Sequence, residues 1–190
     1  AGKKAVSEAI SSFSRIDGLI INHGTLGAVK RVVDSTPAEW RSGFDINFFS
    51  AISFVAPAIP HLRKTNGKIV LVSSGAAVGA YATWGIYGAT KAALNHLSMT
   101  LAVEEPDITT IAIRPGTVAT EMQRELREVH GTVMDAKDAA KFKSLHEDGK
   151  LLKPEQPGNV IARLALNADK SLSGKFLSWE NQGLAAYHDS

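Results

Sequence analysis

Residues 69–97 read IVLVSSGAAVGAYATWGIYGATKAALNHL, and the change of pattern along this stretch decides the fold. It opens with an uninterrupted apolar run, as a strand buried on both faces requires, and the run ends at Ser73 and Ser74. A short segment rich in Gly and Ala follows. From about residue 85 to 103 an alanine-rich sequence then reads as a helix, with Tyr87 and Lys91 four residues apart near its start.

Working outward, the same alternation recurs. Val6, Ala9, Ile10 and Phe13 fall at helical spacing, and DGLIINHG (17–24) then compresses its apolar residues into a strand-like run ending in Gly. Thr36, Pro37 and Glu39 form a capping box with Pro at the first helical position, so a helix starts there. Its inward residues are expected to be Phe44, Phe48, Ile52 and Val55, before Pro57 and Pro60 bend or end it. The turn TNG leads into the strand KIVLVSS, DITTIAIRPG (107–116) reads as another strand, and GKFLSW (174–179) as the last. Between them, 118–148 is a mostly helical polar excursion and 155–168 a helix. Strand and helix in alternation imply an α/β fold: a doubly wound parallel sheet with helices on both faces, a Rossmann-type three-layer arrangement in a single domain.

In such a sheet ligands bind beyond the carboxyl ends of the strands. Asn22–Gly24, Ser73–Ser74 and Arg114–Thr117 end three strands and should face one crevice. Tyr87 and Lys91 share a helix face, so the ammonium can lower the phenol's pKa and fit it for general acid or base work. A hydroxyl from Ser74 could hold a substrate oxygen as charge builds on it. Reduction of a carbonyl needs both services, with hydride from a cofactor, since no side chain supplies it. Each residue also has a plainer use: a strand-end Ser as a turn or cap, a helix-start Tyr as packing, Asn47 as a backbone partner at a helix kink.

Composition narrows the alternatives. The 190 residues carry a net charge of +2 and no cysteine. Thiolate metal sites and a cysteine nucleophile are excluded, and the cysteine-free chain suits a reducing, cytoplasmic setting. The basic residues are dispersed, without the dense stripe of a nucleic-acid surface. The longest apolar run, FFSAISFVAPAIP (48–60), is shorter than the ~20 residues a membrane span needs. The six histidines are scattered without ligand spacing, so no metal is expected. SSGAAVG (73–79) lacks the glycine spacing of a phosphate loop.

The segment from Ser74 through Tyr87-Gly88-Ala89-Thr90-Lys91 resembles the Ser and YxxxK signature of the short-chain dehydrogenases/reductases. Further matches follow in the family's order. Ile21-Asn22-His23-Gly24 is similar to its N-N-A-G segment, with Ile21 and His23 as departures; Asn47 in DINFFS matches the Asn of the catalytic tetrad; RPGTVATEM (114–122) is similar to its P-G-x-V-x-T segment. The resemblance spans nearly the whole chain and is nearest to the fungal benzil-reductase-like and sepiapterin-reductase-like branch. It implies that Tyr87 exchanges a proton with substrate, that Lys91 lowers its pKa and binds the nicotinamide ribose, that Ser74 holds the carbonyl, and that Asn47 anchors a water in a relay to Lys91. It places Asn22, Gly24, Pro115, Gly116, Val118 and Thr120 at the cofactor, NADP(H) being favoured and NAD(H) the alternative. The 118–150 excursion corresponds to the substrate lid, which puts Met122 and Met134 near the substrate, and Trp84 is another pocket candidate. Homodimers or homotetramers through helices 37–63 and 85–103 are implied as well.

One element of the family pattern has no counterpart: the opening strand, Gly-rich loop and helix, with two further strands. Without strands one to three, the LIIN strand becomes an apolar sheet edge. The expectation is therefore that these residues are the carboxyl-terminal part of a longer chain of around 250 residues, the family's usual length. Two functions remain open on the sequence: an NAD(P)H-dependent carbonyl reductase, or a truncated, catalytically inactive relative that serves as a binding or dimerisation module.

Overall fold

The computed structural model describes residues 1–188. Four strands, β1 (Gly18–Ile21), β2 (Lys68–Val72), β3 (Thr109–Arg114) and β4 (Phe176–Ser178), form one sheet in the order β1-β2-β3-β4, and every neighbouring pair is parallel. Seven α-helices surround it: α1 (Gly2–Phe13), α2 (Pro37–Phe44), α3 (Ser50–Leu62), α4 (Gly85–Glu104), α5 (Glu121–Glu128), α6 (Ala136–Glu147) and α7 (Glu155–Asn167). The doubly wound, Rossmann-type architecture read from the alternation is the one observed.

The two sheet faces follow from the period-2 geometry of the strands. Ile69 and Leu71 of β2 point, with Ile21, into a core built with Val6 of α1, Ala51, Val55 and Leu62 of α3, and Leu94 and Leu101 of α4. Val70 and Val72 point the other way, beside Ile111 and Ile113 of β3, against Val160, Ile161 and Leu164 of α7. Each fully buried aliphatic side chain contributes about 1.5–3 kcal/mol, so burial on both faces fixes the register of β2. A third cluster, Leu26, Val29, Trp84, Tyr87, Leu126, Met134 and Phe142, lies off the sheet and joins the loop after β1 to α5 and α6.

Three local expectations change. The capping box at Thr36 is present, with Glu39 closing it, but the helix it starts does not run uniformly to the prolines. A π-helical turn, Asp45–Phe49, separates α2 from α3. An extra residue in a turn rotates everything after it. The buried stripe runs through Gly43, Asn47, Ala51, Val55, Ala58 and Leu62; Val55 is inward as expected, while Phe44, Phe48 and Ile52 are only half-buried. Pro57 and Pro60 do not end α3, which continues to Leu62. Pro57 cannot donate to the Ser53 carbonyl, and that is where α1 comes closest: a Cβ at Gly2 would collide with it. Phe13, which shares the helical spacing of Val6, Ala9 and Ile10, is 74% exposed at the end of α1.

The continuous helical segment Pro37–Thr65 is long and apolar enough to cross a membrane by length and composition, at a mean hydropathy of 1.3. Its buried stripe packs against α1, β1 and α4 and carries Asn47 inward. β1 has a hydrogen-bonded strand neighbour on one side only among the described residues. Along its open side runs a groove of about 440 Å³ lined by Val6, Ala9, Leu19, Ile20 and Phe54, and Ile20 is 41% exposed there. This is the apolar edge that the strand pattern implied.

Candidate active site

Because the pairings are all parallel, the carboxyl ends of β1, β2 and β3 lie on one side of the sheet, with Ile21 opposite Leu71 and Val72 opposite Ile113. Asn22–Gly24, Ser73–Ser74 and Pro115–Val118 therefore leave the sheet at that side. Helix α4 follows β2 and brings Tyr87 and Lys91 to it on one face, 8% and 4% exposed.

Lys91 is the centre of the site. Its Nζ donates to the Val72 carbonyl at 2.8 Å and sits 5.8 Å from the centroid of the Tyr87 ring. Burial pulls its pKa down to about 8, because a desolvated ammonium is disfavoured. Burial acts oppositely on Tyr87, pushing the phenol above its ordinary value, and the hydrogen bond with the Ser74 side chain pulls it part of the way back. The phenol is thus held in its protonated form by burial. The net effect is therefore a raised pKa rather than the lowering expected from Lys91, whose ammonium donates to the β2 backbone.

Asn47, fully buried, is placed by the π-helical turn. Its Oδ1 accepts from the Thr25 amide at 2.8 Å, while Nδ2 donates to the Thr25 carbonyl at 2.8 Å and to Thr90 Oγ1 at 3.0 Å. The carboxamide pairs with Thr25 as one peptide group pairs with another, and clamps the loop after β1 to α4. Thr90 completes the clamp by donating to the Tyr87 carbonyl at 2.8 Å. The plain reading of Asn47 as a backbone partner at a helix kink and its place at the site describe the same geometry.

Gly24 lies over this arrangement. A Cβ there would come within 3.3 Å of both Lys91 Nζ and Asn47 Oδ1, so the backbone of β1's exit loop approaches the ammonium as no larger residue could without displacement. At the end of β3, Gly116 has φ +82°, and a Cβ would lie 2.6 Å from Leu152 Cδ1 and 3.1 Å from Trp179 Nε1. Residues 117 and 119 bond to Leu152, through Leu152 N to Thr117 O at 3.0 Å and Ala119 N to Leu152 O at 2.8 Å. In a parallel bridge of this kind the groups of the intervening Val118 point away from the partner, and its carbonyl accepts from Thr120 Oγ1 at 3.4 Å. Thr120 Oγ1 caps α5, accepting from Gln123 N at 3.4 Å.

Ser74 also has a capping bond, its Oγ accepting from Ala76 N at 3.2 Å. Its neighbour Ser73 is buried and donates to the Lys91 carbonyl at 3.2 Å. Helices α5 and α6 occupy the 118–148 segment, and Met134 is buried with Met122 beside it in the cluster that includes Trp84 and Tyr87. His23 is exposed and paired with Ser50. Sequence reasoning missed Thr25, Thr90, Leu152 and Trp179. Thr90 had a signal, lying three residues after Tyr87 on the same helix; the other three are joined to the site only by tertiary contacts.

The fold is a Rossmann-type α/β sheet, and a phenol, an ammonium and a hydroxyl are gathered at its strand ends. The family pattern described as short chain dehydrogenase matches residues 1–131. The chain is 43% identical over 181 residues to an uncharacterised oxidoreductase of Schizosaccharomyces pombe, covering 95% of this chain and 73% of the relative. It is 39% identical over 189 residues to benzil reductase ((S)-benzoin forming) of Saccharomyces cerevisiae, covering 94% and 72%. A crystal structure of a short chain dehydrogenase/reductase from Saccharomyces cerevisiae matches with a TM-score of 0.96 at 41% identity, over 98% of this chain and 75% of that chain. The protein belongs to the short-chain dehydrogenase/reductase family of oxidoreductases. It spans about three quarters of the length of these relatives, 73% and 72% of the two curated ones.

Proposed function

We propose that the protein is an NAD(P)H-dependent carbonyl reductase in which Tyr87 is the general acid. The observation that carries this reading is the convergence of buried Tyr87 and Lys91 with Ser74 at the strand ends. The nicotinamide, when bound, supplies a hydride to the carbonyl carbon. Tyr87 gives its phenolic proton to the carbonyl oxygen, and the Ser74 hydroxyl hydrogen-bonds the same oxygen as negative charge develops. Lys91 stabilises the phenolate left behind and, with a further donor besides the one given to Val72, holds the ribose. Asn47 fixes the loop that carries Gly24 and anchors the water relay to Lys91.

The residues fit a dinucleotide. Gly24 leaves room above the ammonium, Gly116 turns the chain where a side chain would collide, and Val118 turns its amide from Leu152. Asn22, Gly24, Tyr87, Lys91, Pro115, Gly116, Val118 and Thr120 are the proposed contacts. NADP(H) is the cofactor this proposal favours, with NAD(H) as the alternative. A phenol kept protonated by burial suits reduction, which consumes its proton, better than alcohol oxidation, which needs the phenolate. The proposal includes a cytoplasmic protein acting on a small carbonyl compound. It also includes a homodimer or homotetramer through helices 37–63 and 85–103, where Ile46, Phe49, Met99 and Val103 are exposed.

Tyr87→Phe is the test. Turnover of ketone with NADPH or NADH should fall by about 10²–10⁴-fold, while cofactor binding, read by fluorescence titration, stays within about threefold. Retained turnover removes Tyr87 from the mechanism. A wild-type protein that binds no dinucleotide would favour the inactive binding module.

A further inference from the structure

Strand β3 ends at a cation that the reaction above does not use. Ile111 and Ile113 point toward α7, so by the alternation of a strand Arg114 lies on the opposite face, the one that α4 covers. It pairs in register with Ser178 of β4, and its Nη2 donates to Ser178 Oγ at 3.3 Å. Glu180 Oε1 is 3.8 Å away, and the two side chains are 42% and 65% exposed. An ion pair so long and so exposed contributes little to stability and does not account for the arginine.

Its side chain crosses the turn that carries Ser74. A Cβ on Gly75 would lie 3.2 Å from Arg114 Cδ and 3.4 Å from Nη1, so the stem and one edge of the guanidinium rest against the residue that follows Ser74. Helix α4 presses on the same turn: a Cβ on Gly88 would come within 2.8 Å of the Ala76 carbonyl oxygen. Two positions without side chains thus let β3 and α4 close on a single turn. Inside it, the Ser74 carbonyl accepts from Ala77 N at 3.1 Å and Ser74 Oγ accepts from Ala76 N at 3.2 Å. Those bonds fix the direction of a hydroxyl that also reaches the Tyr87 phenol.

We propose that Arg114 is a positioning residue: it braces the Ser74 turn against α4, so that the Ser74 hydroxyl stays aimed at the reacting oxygen. This rests on the reductase reading of the site. A donor aimed at developing charge works only in the correct place, and a displacement of about 1 Å costs a reaction on the order of a hundredfold. Arginine suits the task because its planar fork holds Ser178 with one nitrogen while the other lies on backbone, which the point charge of a lysine cannot do.

The test is a double-mutant cycle of Arg114→Met and Ser74→Ala. Methionine keeps an apolar stem and removes the guanidinium that ties it to Ser178. Arg114→Met alone should lower kcat for ketone reduction about ten- to hundredfold, with KM and NADPH affinity within about threefold. In the Ser74→Ala background the same change should alter kcat less than about threefold, because the hydroxyl it positions is gone. Additive losses, as from a general loosening of the fold, overturn the proposal, and so does full activity in Arg114→Met. Arg114→Gln takes the place of the methionine variant if that one does not fold. Amide hydrogen exchange keeps the two readings apart, since it needs no turnover. In Arg114→Met the Ala76 and Ala77 amides should exchange at least about tenfold faster, with β2 and α4 unchanged. If wild type reduces no ketone with either nicotinamide cofactor, the reductase reading fails; faster exchange at those two amides then keeps Arg114 as the brace of the turn, and unchanged exchange overturns it.

Discussion

Replacing Lys91 with methionine should raise the stability of the fold at neutral pH while destroying the site. The ammonium is buried and its pKa is pulled from 10.5 down to about 8 by desolvation. A folded-state pKa below the unfolded one means that between about pH 8 and 10.5 the unfolded chain binds the extra proton. This group therefore costs stability below pH 8, and the cost fades as pH rises through that window. At pH 7 the cost is about 3 kcal/mol, and at pH 10 it has dropped to about 1 kcal/mol. Methionine removes it, but also removes the bond to the Val72 carbonyl, leaving a buried acceptor unpaired at a cost of about 1–3 kcal/mol. The variant should thus be about 0–2 kcal/mol more stable than wild type at pH 7 and lose about 2 kcal/mol of that advantage by pH 10. Urea unfolding at both pH values measures it. With a slope of about 2 kcal/mol per molar, the midpoint difference between the two proteins should shift by about 1 M. Other groups titrate in this range, but they do so in both proteins and cancel. Parallel pH dependence for wild type and variant would refute the buried, destabilising ammonium.

The rate should carry the same signature: kcat/KM for reduction stays level below pH 7 and declines on a basic limb beginning near 8, where Lys91 loses its charge; a profile flat to pH 9.5 would be incompatible with this. Gly24→Ala places a methyl 3.3 Å from Lys91 Nζ and Asn47 Oδ1, so NADPH affinity measured by fluorescence should weaken about tenfold with the circular dichroism spectrum unchanged. Asn47→Ala breaks three bonds at a fully buried position and orphans the Thr25 backbone; equilibrium unfolding should show a loss of about 2–5 kcal/mol. Phe49→Asp introduces charge on an exposed helix face and should shift sedimentation from oligomer toward monomer if that face is the subunit contact.

How far the sequence could be read depended on the range of the interactions involved. Strand and helix order was legible because each signal is local: the apolar run 69–72, the capping box at Thr36 and the Tyr–Lys spacing each declare themselves within a few residues. The inward face of the Pro37–Leu62 segment was legible only in part: Val55 is buried as expected, but Phe44, Phe48 and Ile52 are half-buried, and the π-helical turn at Asp45–Phe49 that turns Asn47 inward toward Thr25 and Thr90 leaves no local signal. The same holds at the site. Tyr87, Lys91 and Ser74 were singled out by their resemblance to a family signature, since spacing alone leaves plainer uses open, and the direction in which Lys91 points depends on the Val72 carbonyl, which no pattern along the chain shows.

Lys91, Thr83 and Trp84 also share an energetic logic. A lysine 4% exposed, a threonine at positive φ and an indole N–H without a partner each lower the stability of the fold. A sheet stabilised on both faces, with Ile69, Val70, Leu71, Ile111 and Ile113 all fully buried, can tolerate these costs. They cluster at the carboxyl ends of the strands and at the start of α4, away from the hydrophobic layers that determine strand register. The site can therefore be altered without unfolding the protein, as Lys91→Met is expected to demonstrate. The exception is Asn47, whose carboxamide substitutes for backbone pairing between the β1 exit loop and α4: there fold and site rest on the same three hydrogen bonds, and no substitution can separate them.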